Sequence, residues 1–411
     1  MVRPAIHARA LASVLTKASR QFAAVVLTGP RQSGKTTLVR QLFGSTRSYC
    51  SLDDPLVREQ AIADPKLLLS RYPPPVILDE IQCAPGLLHT VKAMIDERRS
   101  EKGRFIITGS QAFALMAGVT ESLAGRAAVL SLLSMSWREL RDLDEGDADW
   151  KDLLWPAEVR QVRAPSIEGL AAAILRGGYP EPALDTSIDH RLWHSSYVQT
   201  YLERDVRSLR AIGDLGDFRR LLTALAARTG SLINFADLAR DLGVTAKTVQ
   251  AWVSVLEASG QVVVLKPYHA NVGKRLVKRP KVYFLDTGTL AFLLGVDRPE
   301  ALLSGIAAGP TFESAVAGQI HRLLVHRGHL SRVYFWRTSA GHEVDFVLED
   351  GQLLVPIEAR LTTAPTPRDA SGVEQFQALL GERAGKGYVV CLCAERHPLT
   401  RRVDAVPLGA F

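Results

Sequence analysis

Gly29-Pro30-Arg31-Gln32-Ser33-Gly34-Lys35-Thr36 has the residue types and spacing that cradle a phosphate chain: two glycines in a short loop, then a lysine and a hydroxyl. Backbone N–H groups of such a loop turn inward, and the positive end of the following helix adds to their field. Lys35 would reach the β- and γ-phosphates of a nucleoside triphosphate, and the Thr36 hydroxyl would ligate Mg²⁺. Thr37 closes the binding stretch. Context gives the pattern its weight. Ala23 to Thr28 reads as an apolar strand and Thr37 to Phe43 as a helix, so the loop joins strand to helix as phosphate binding requires.

Three further stretches would complete the site. Val76-Ile77-Leu78-Asp79-Glu80 is an apolar run ending in two carboxylates. Asp79 would hold the magnesium shell, and Glu80 would orient and polarise an attacking water. Phe105 to Ile107 leads into Thr108-Gly109-Ser110, where Ser110 or Thr108 would bond the γ-phosphate or the lytic water. Glu121-Ser122-Leu123-Ala124-Gly125-Arg126 precedes the apolar run Ala127 to Leu132. Arg126 is a candidate arginine finger, since a guanidinium stabilises charge on a transferring phosphoryl group better than an ammonium. Supplied by a neighbouring subunit, it would require an oligomer.

The blocks GPRQSGKT, VILDEIQ, FIITGSQ and SLAGR, in that order, resemble a bacterial and archaeal branch of the AAA-type ATPases. That branch carries a C-terminal domain related to restriction endonucleases. The resemblance extends over nearly the whole chain. It implies an α/β core with a parallel sheet between helices, ATP and Mg²⁺ as ligands, and a ring such as a hexamer. Gly177-Gly178-Tyr179-Pro180 matches a further family block. Tyr197 to Arg207 has helical spacing and corresponds to the family's lid over the nucleotide, where Arg204 or Arg207 would sense the γ-phosphate.

The middle of the chain carries a different pattern. Phe218 to Arg228 reads as an amphipathic helix. Asn234 caps a second through Leu242, Gly243-Val244-Thr245 makes a turn, and Ala246 to Ser259 forms a third. This is helix–turn–helix phrasing. Gln261 to Leu265 and Lys281 to Leu285 alternate like the strands of a wing. No carboxylate falls between Glu257 and Asp286, whereas Lys266, Lys274, Arg275, Lys278, Arg279 and Lys281 do. With Lys247 on the third helix, these cations read as a phosphate-contact surface for DNA, one that fixes position without reading sequence.

Val296 to Thr311 reads as a linker, and a helix opens at Phe312. Strands are expected at Val333 to Arg337, His342 to Leu348, Leu353 to Arg360 and Gly387 to Leu392, with a helix over Asp369 to Gly381. This region resembles the PD-(D/E)XK nuclease fold. The resemblance gives Asp345 the first acidic place, Glu358-Ala359-Arg360 the E-x-K place, and Glu313 an extra acidic place on the first helix. Asp345 and Glu358 would then hold a second metal ion. Arginine stands where an active nuclease has lysine. It is bulkier, stays protonated and binds phosphate as a fork, so DNA binding or scaffolding is expected ahead of cleavage.

The expected organisation is an ATPase core over 1–140, an excursion and helical lid over 141–215, a winged-helix domain over 216–295 and a nuclease-like domain over 296–411. Bulk composition agrees. The chain has 411 residues, 47% hydrophobic and 23% charged, as in ordinary globular proteins. A net charge of +7 favours a polyanionic partner. No segment has the long uncharged run that crosses a bilayer. The first residues lack a signal-peptide core. Cys50, Cys83, Cys391 and Cys393 form no metal pattern, so reduced thiols in a cytoplasmic protein are expected. The leading functional expectation is an oligomeric ATPase doing work on duplex or branched DNA. An ATP-gated nuclease and a nucleotide switch docking a protein partner are the alternatives.

Overall fold

The structure is a computed structural model and describes residues 7–110, 122–143, 150–154, 166–202, 215–268, 279–338 and 340–410. Its first sheet comprises β1 (Ala24–Thr28), β2 (Ser48–Ser51), β3 (Val76–Asp79), β4 (Phe105–Thr108) and β5 (Ala127–Ser131), in the order β2-β3-β4-β1-β5. All its pairings are parallel. Strands β1, β3 and β4 are buried along their full length, which explains their unbroken apolar sequences. Side-chain alternation feeds two cores. Val25, Leu27, Ile77 and Ile106 pack against the helices Leu11–Gln21 and Lys35–Phe43. Val26, Leu78 and Ile107 pack under Pro65–Arg71 and Leu87–Glu97. Each fully buried Val, Leu or Ile contributes about 1.5–3 kcal/mol. The ends of β1, β3 and β4 open on one edge, where the chemistry lies.

Beyond the helices Ile167–Arg176, Pro180–Leu184 and His190–Tyr197 lie Leu215–Ala226, Phe235–Leu242 and Ala246–Ala258, in the order the apolar spacing predicts. The Asn234 side chain accepts from the Ala236 N–H, Gly243 takes the left-handed conformation at φ 70°, and Thr245 caps the next helix. Phe218 and Trp252 meet edge to face in the core between these helices. Then come β6 (Val262–Pro267) and β7 (Lys281–Phe284), an antiparallel pair.

That hairpin is continuous with the C-terminal strands. β6 also pairs in parallel with β8 (Val333–Arg337), through Lys266 opposite Tyr334 and Pro267 opposite Phe335. With β9 (Glu343–Asp350), β10 (Leu353–Ala359), β11 (Gly387–Cys391), β12 (His397–Pro398) and β13 (Val403–Pro407) it forms one eight-stranded sheet, ordered β12-β13-β11-β10-β9-β8-β6-β7. The line drawn at 295/296 thus crosses a continuous sheet. The segment expected as a linker contains the helix Pro299–Ser304, opened by a proline at its first position, and the next helix begins at Ala308 and runs to Val325. Strands β2, β12 and β13 carry no period-two signal long enough to read in sequence.

Arg204 and Arg207 lie outside the described residues, as do Lys274, Arg275 and Lys278. No helix among the described residues is long and apolar enough to cross a membrane.

Candidate functional site

The loop between β1 and the helix Lys35–Phe43 is built on special backbone. Gly29 has φ 131°, and a Cβ there would stand 2.1 Å from the Leu132 carbonyl oxygen, so only glycine fits. Gly34 has φ 92° and Gln32 φ 63°. These turns wind the chain into a concave run of N–H groups. Lys35 is buried, and its Nζ donates to the carbonyls of Gly29 (3.0 Å) and Pro30 (2.8 Å). Ser33 Oγ is buried with no hydrogen-bond partner among the described residues.

Asp79 ends β3 and gathers hydroxyl donors from three elements. The Thr36 hydroxyl lies 3.0 and 3.1 Å from its two oxygens, the Tyr49 hydroxyl of β2 donates at 2.6 Å, and Thr108 at the end of β4 donates to Oδ1. Glu80 is next, at φ 59°, its backbone N–H on Thr108 Oγ1 at 3.2 Å. Its carboxylate accepts from Ser110 Oγ at 3.2 Å and from Gln82 Nε2. Gln82 also reaches Ser110 at 3.2 Å, while its Oε1 is buried with no partner among the described residues. Lys35, Thr36, Asp79, Glu80 and Ser110 therefore converge as the motif order predicts. Tyr49 and Gln82 join them unannounced: Tyr49 sits on a strand too short to read, and Gln82 carried no spacing rule.

A nucleoside triphosphate with Mg²⁺ fits these residues. The loop offers a cradle closed to any Cβ at Gly29, an orphaned hydroxyl at Ser33 and a lysine resting on carbonyls it can exchange for phosphate. Arg126 stands differently. It makes a two-pronged pair with Asp96 of its own chain, at 2.7 and 3.0 Å, on the surface.

The C-terminal cluster brings together Glu313, Asp345, Glu358 and Arg360, and adds a residue assigned elsewhere by sequence. Lys281 is not part of the exposed basic surface. It is buried on β7, with Nζ 2.5 Å from Glu343 Oε1 and 3.4 Å from Asp345 Oδ1. Burial would lower its pKa, but Asp345, Glu313 and Glu343 overcome that and raise it. The correction has a simple cause. Charge along a sequence does not say which strand face a residue takes, and Lys281 shares a face with Tyr283, whose hydroxyl donates to Glu313 at 3.2 Å.

The remaining groups are also occupied. Asp345 Oδ2 accepts the Ala359 N–H at 3.1 Å, Glu358 accepts the Asp345 N–H at 3.4 Å, and Arg360 pairs with Glu358. Burial, then Asp345, pushes Glu313 up to about 8 and Glu358 well above the carboxylate range. Among the described residues no three His, Cys, Asp or Glu side chains come together as a metal ion needs. The two carboxylates expected to hold a second metal ion each face a protein cation here, Lys281 on Asp345 Oδ1 and Arg360 on Glu358 Oε1.

On the helix–turn–helix and hairpin, Lys247, Lys266 and Arg279 are exposed. They remain the described part of the basic surface.

Comparison with known proteins matches this anatomy. An AAA domain profile matches residues 21–141, a domain of unknown function (DUF8612) matches 167–300, and a second (DUF4143) matches 308–411. Two mycobacterial proteins, the uncharacterized protein Rv2008c of Mycobacterium tuberculosis and the uncharacterized protein Mb2031c of Mycobacterium bovis, are each 33% identical over 404 residues, covering 98% of this chain and 84% of theirs. Among solved structures, the Walker-type ATPase PABY2304 of Pyrococcus abyssi is 15% identical, with a TM-score of 0.44 over 69% of this chain and 94% of that one. A variant of RuvB from Thermotoga maritima is 18% identical, with a TM-score of 0.29 over 62% and 85%. Structural likeness at these levels bears no argument about activity.

Proposed function

We propose, from the premise that this chain belongs to the same family as Rv2008c and Mb2031c and carries an AAA domain, that it hydrolyses ATP with Mg²⁺ and couples hydrolysis to work on DNA as a homo-oligomer. One observation carries the first half: Lys35, Thr36, Asp79, Glu80 and Ser110 meet on one edge of a parallel sheet around an orphaned loop hydroxyl. Thr36 and Asp79 would hold the magnesium, which supplies charge neutralisation for the phosphates. Lys35 leaves the Gly29 and Pro30 carbonyls and binds phosphate oxygens. Glu80 holds the lytic water as base, and Ser110 fixes the carboxylate that does so. Arg126 would leave Asp96 and serve a neighbouring subunit's site, which makes turnover depend on assembly.

The DNA half rests on the exposed cations Lys247, Lys266 and Arg279 on and beside a helix–turn–helix, the last two in a stretch empty of carboxylates. Contacts of this kind suit duplex or branched DNA without sequence preference. The test is steady-state ATP turnover against linear, forked and four-way DNA, with subunit mass measured in parallel. Stimulation by one or more DNA forms, lost in Lys35→Ala, is expected. Turnover indifferent to every DNA form removes the DNA half. Absence of ATP binding removes the whole reading.

A further inference from the structure

Arg9 precedes the first helix and is buried, although no motif marks it. Its guanidinium donates to three acceptors: Nη1 to the Ser33 carbonyl at 2.7 Å, Nη2 to the Leu133 carbonyl at 2.8 Å and Nε to Glu139 Oε1 at 3.0 Å. Ser33 lies in the phosphate loop. A trans peptide points its N–H opposite to its carbonyl. With the Ser33 oxygen drawn to Arg9, the Gly34 N–H is turned to the other side of the loop, at the position where φ is 92°.

Glu139 is also buried and fully engaged. It accepts the Ala10 N–H at 2.9 Å and the Ser136 N–H at 2.7 Å. Burial alone would raise its carboxyl, but Arg9 and His326 beside it hold the group well below the usual carboxylate range. His326 caps the far end of the helix Ala308–Val325, inside the C-terminal sheet domain. Its Nε2 accepts the Leu133 N–H at 3.0 Å, so the neutral ring carries its proton on Nδ1, which faces Glu139 Oε1 at 3.4 Å. Burial keeps that imidazole pKa low despite the carboxylate. The same helix holds the segment after β5 twice more: Gln319 accepts the Trp137 N–H at 3.1 Å, and Arg322 donates to Ser134 Oγ at 2.8 Å.

We infer that Arg9 is a positioning residue for the nucleotide site and that the C-terminal domain, through His326 and Glu139, holds Arg9 in place. The inference rests on the ATPase reading and extends it: the C-terminal domain is part of the support of the phosphate loop. Coupling of this kind is reciprocal. A C-terminal substitution changes ATP affinity, and ATP in turn tightens the helix Ala308–Val325.

The experiment uses the full chain. ATP turnover, affinity for a fluorescent ATP analogue, and hydrogen exchange of residues 308–326 with and without a non-hydrolysable ATP analogue are measured for wild type, Arg9→Met, Arg9→Lys, His326→Leu and His326→Gln. Loss of a charge-assisted bond to Ser33 predicts KM for ATP raised about tenfold or more in Arg9→Met, with kcat changed far less. Arg9→Lys recovers part of the affinity, because an ammonium reaches fewer of the three acceptors. His326→Leu raises KM in the same direction, and His326→Gln, which can still accept from Leu133, does so less. Analogue-induced protection at 308–326 appears in wild type and shrinks in Arg9→Lys, a change that a merely stabilising arginine would not produce. A wild type that turns over ATP while all four variants keep its KM and its exchange pattern overturns the inference alone. A wild type that binds no nucleotide overturns the ATPase reading instead. Should Arg9→Met or His326→Leu fail to fold, the two conservative variants decide.

Discussion

Replacing Lys281 with methionine tests the reading of the C-terminal cluster. Methionine keeps the apolar stem and removes the ammonium. What remains is Glu343 at the former 2.5 Å contact and Asp345 at 3.4 Å, among the buried Tyr283 and Glu358 and the half-buried Glu313. Breaking a buried pair by deleting one partner costs about 3–5 kcal/mol, because the surviving charge stays desolvated. Glu343 is partly exposed and also has Arg337 at 3.3 Å, so its share is discounted, and the lower end of that range is expected. Multi-domain unfolding is not one transition, so the readout must be local. Hydrogen exchange of the β8 and β9 amides, measured across a urea series, reports this domain locally. The double variant Lys281→Met/Asp345→Asn closes a mutant cycle and should recover at least about 1 kcal/mol of the loss if the two side chains interact directly. A Lys281→Met loss below about 1 kcal/mol, the size expected of a solvated surface pair, would refute the argument. Mn²⁺ titration of the nucleotide-free wild type adds an independent check, since a saturable site abolished by Asp345→Asn would show that the lysine does not exclude metal.

Glu313 stands at about 8 in the fold against an ordinary value near 4.5, so the folded state keeps a proton the unfolded chain has released. The stability this confers is complete below 4.5 and lost as pH rises through about 8; Glu313→Gln should flatten urea midpoints over that window, and equal slopes in both proteins would contradict the assignment. Glu80→Gln should keep ATP affinity and cut kcat by about 10²–10⁴, read by phosphate release, whereas unchanged kcat would exclude Glu80 as base. Tyr49→Phe deletes the 2.6 Å donor to Asp79 and should change nucleotide affinity measured with Mg²⁺ more than without it; equal effects would place Tyr49 outside the metal shell. Lys266→Ala with Arg279→Ala should weaken DNA binding and lower the slope of log K against log salt by about 1.8, since each lost phosphate contact removes about 0.9. An unaltered slope would clear these cations of any phosphate contact.

The phosphate site was legible because its chemistry fixes both residue type and spacing. A cradle of N–H groups needs glycine where φ is positive, and lysine and threonine must come directly after. The buried strands were legible because apolar runs between helices leave little choice. Tyr49, Arg9, His326 and Lys281 were not, for one reason: each acts across the fold, on partners about 30 to 190 positions away. Lys281 shows it most clearly. In the linear chain it closes a run of cations, but in the sheet its strand turns it inward, so a residue counted toward a nucleic-acid surface neutralises carboxylates instead. The sequence named four of the cluster's members and counted Lys281, the cation on Asp345, toward another surface.

The hydrogen bonds joining Lys266 and Pro267 to Tyr334 and Phe335 have a mechanical meaning. A tether of flexible chain would let the basic hairpin wander from the domain behind it, whereas a shared ladder makes the two one lever. A load on β6 passes through this ladder to β8. If nucleotide drives relative movement, as proposed, that movement falls outside this ladder.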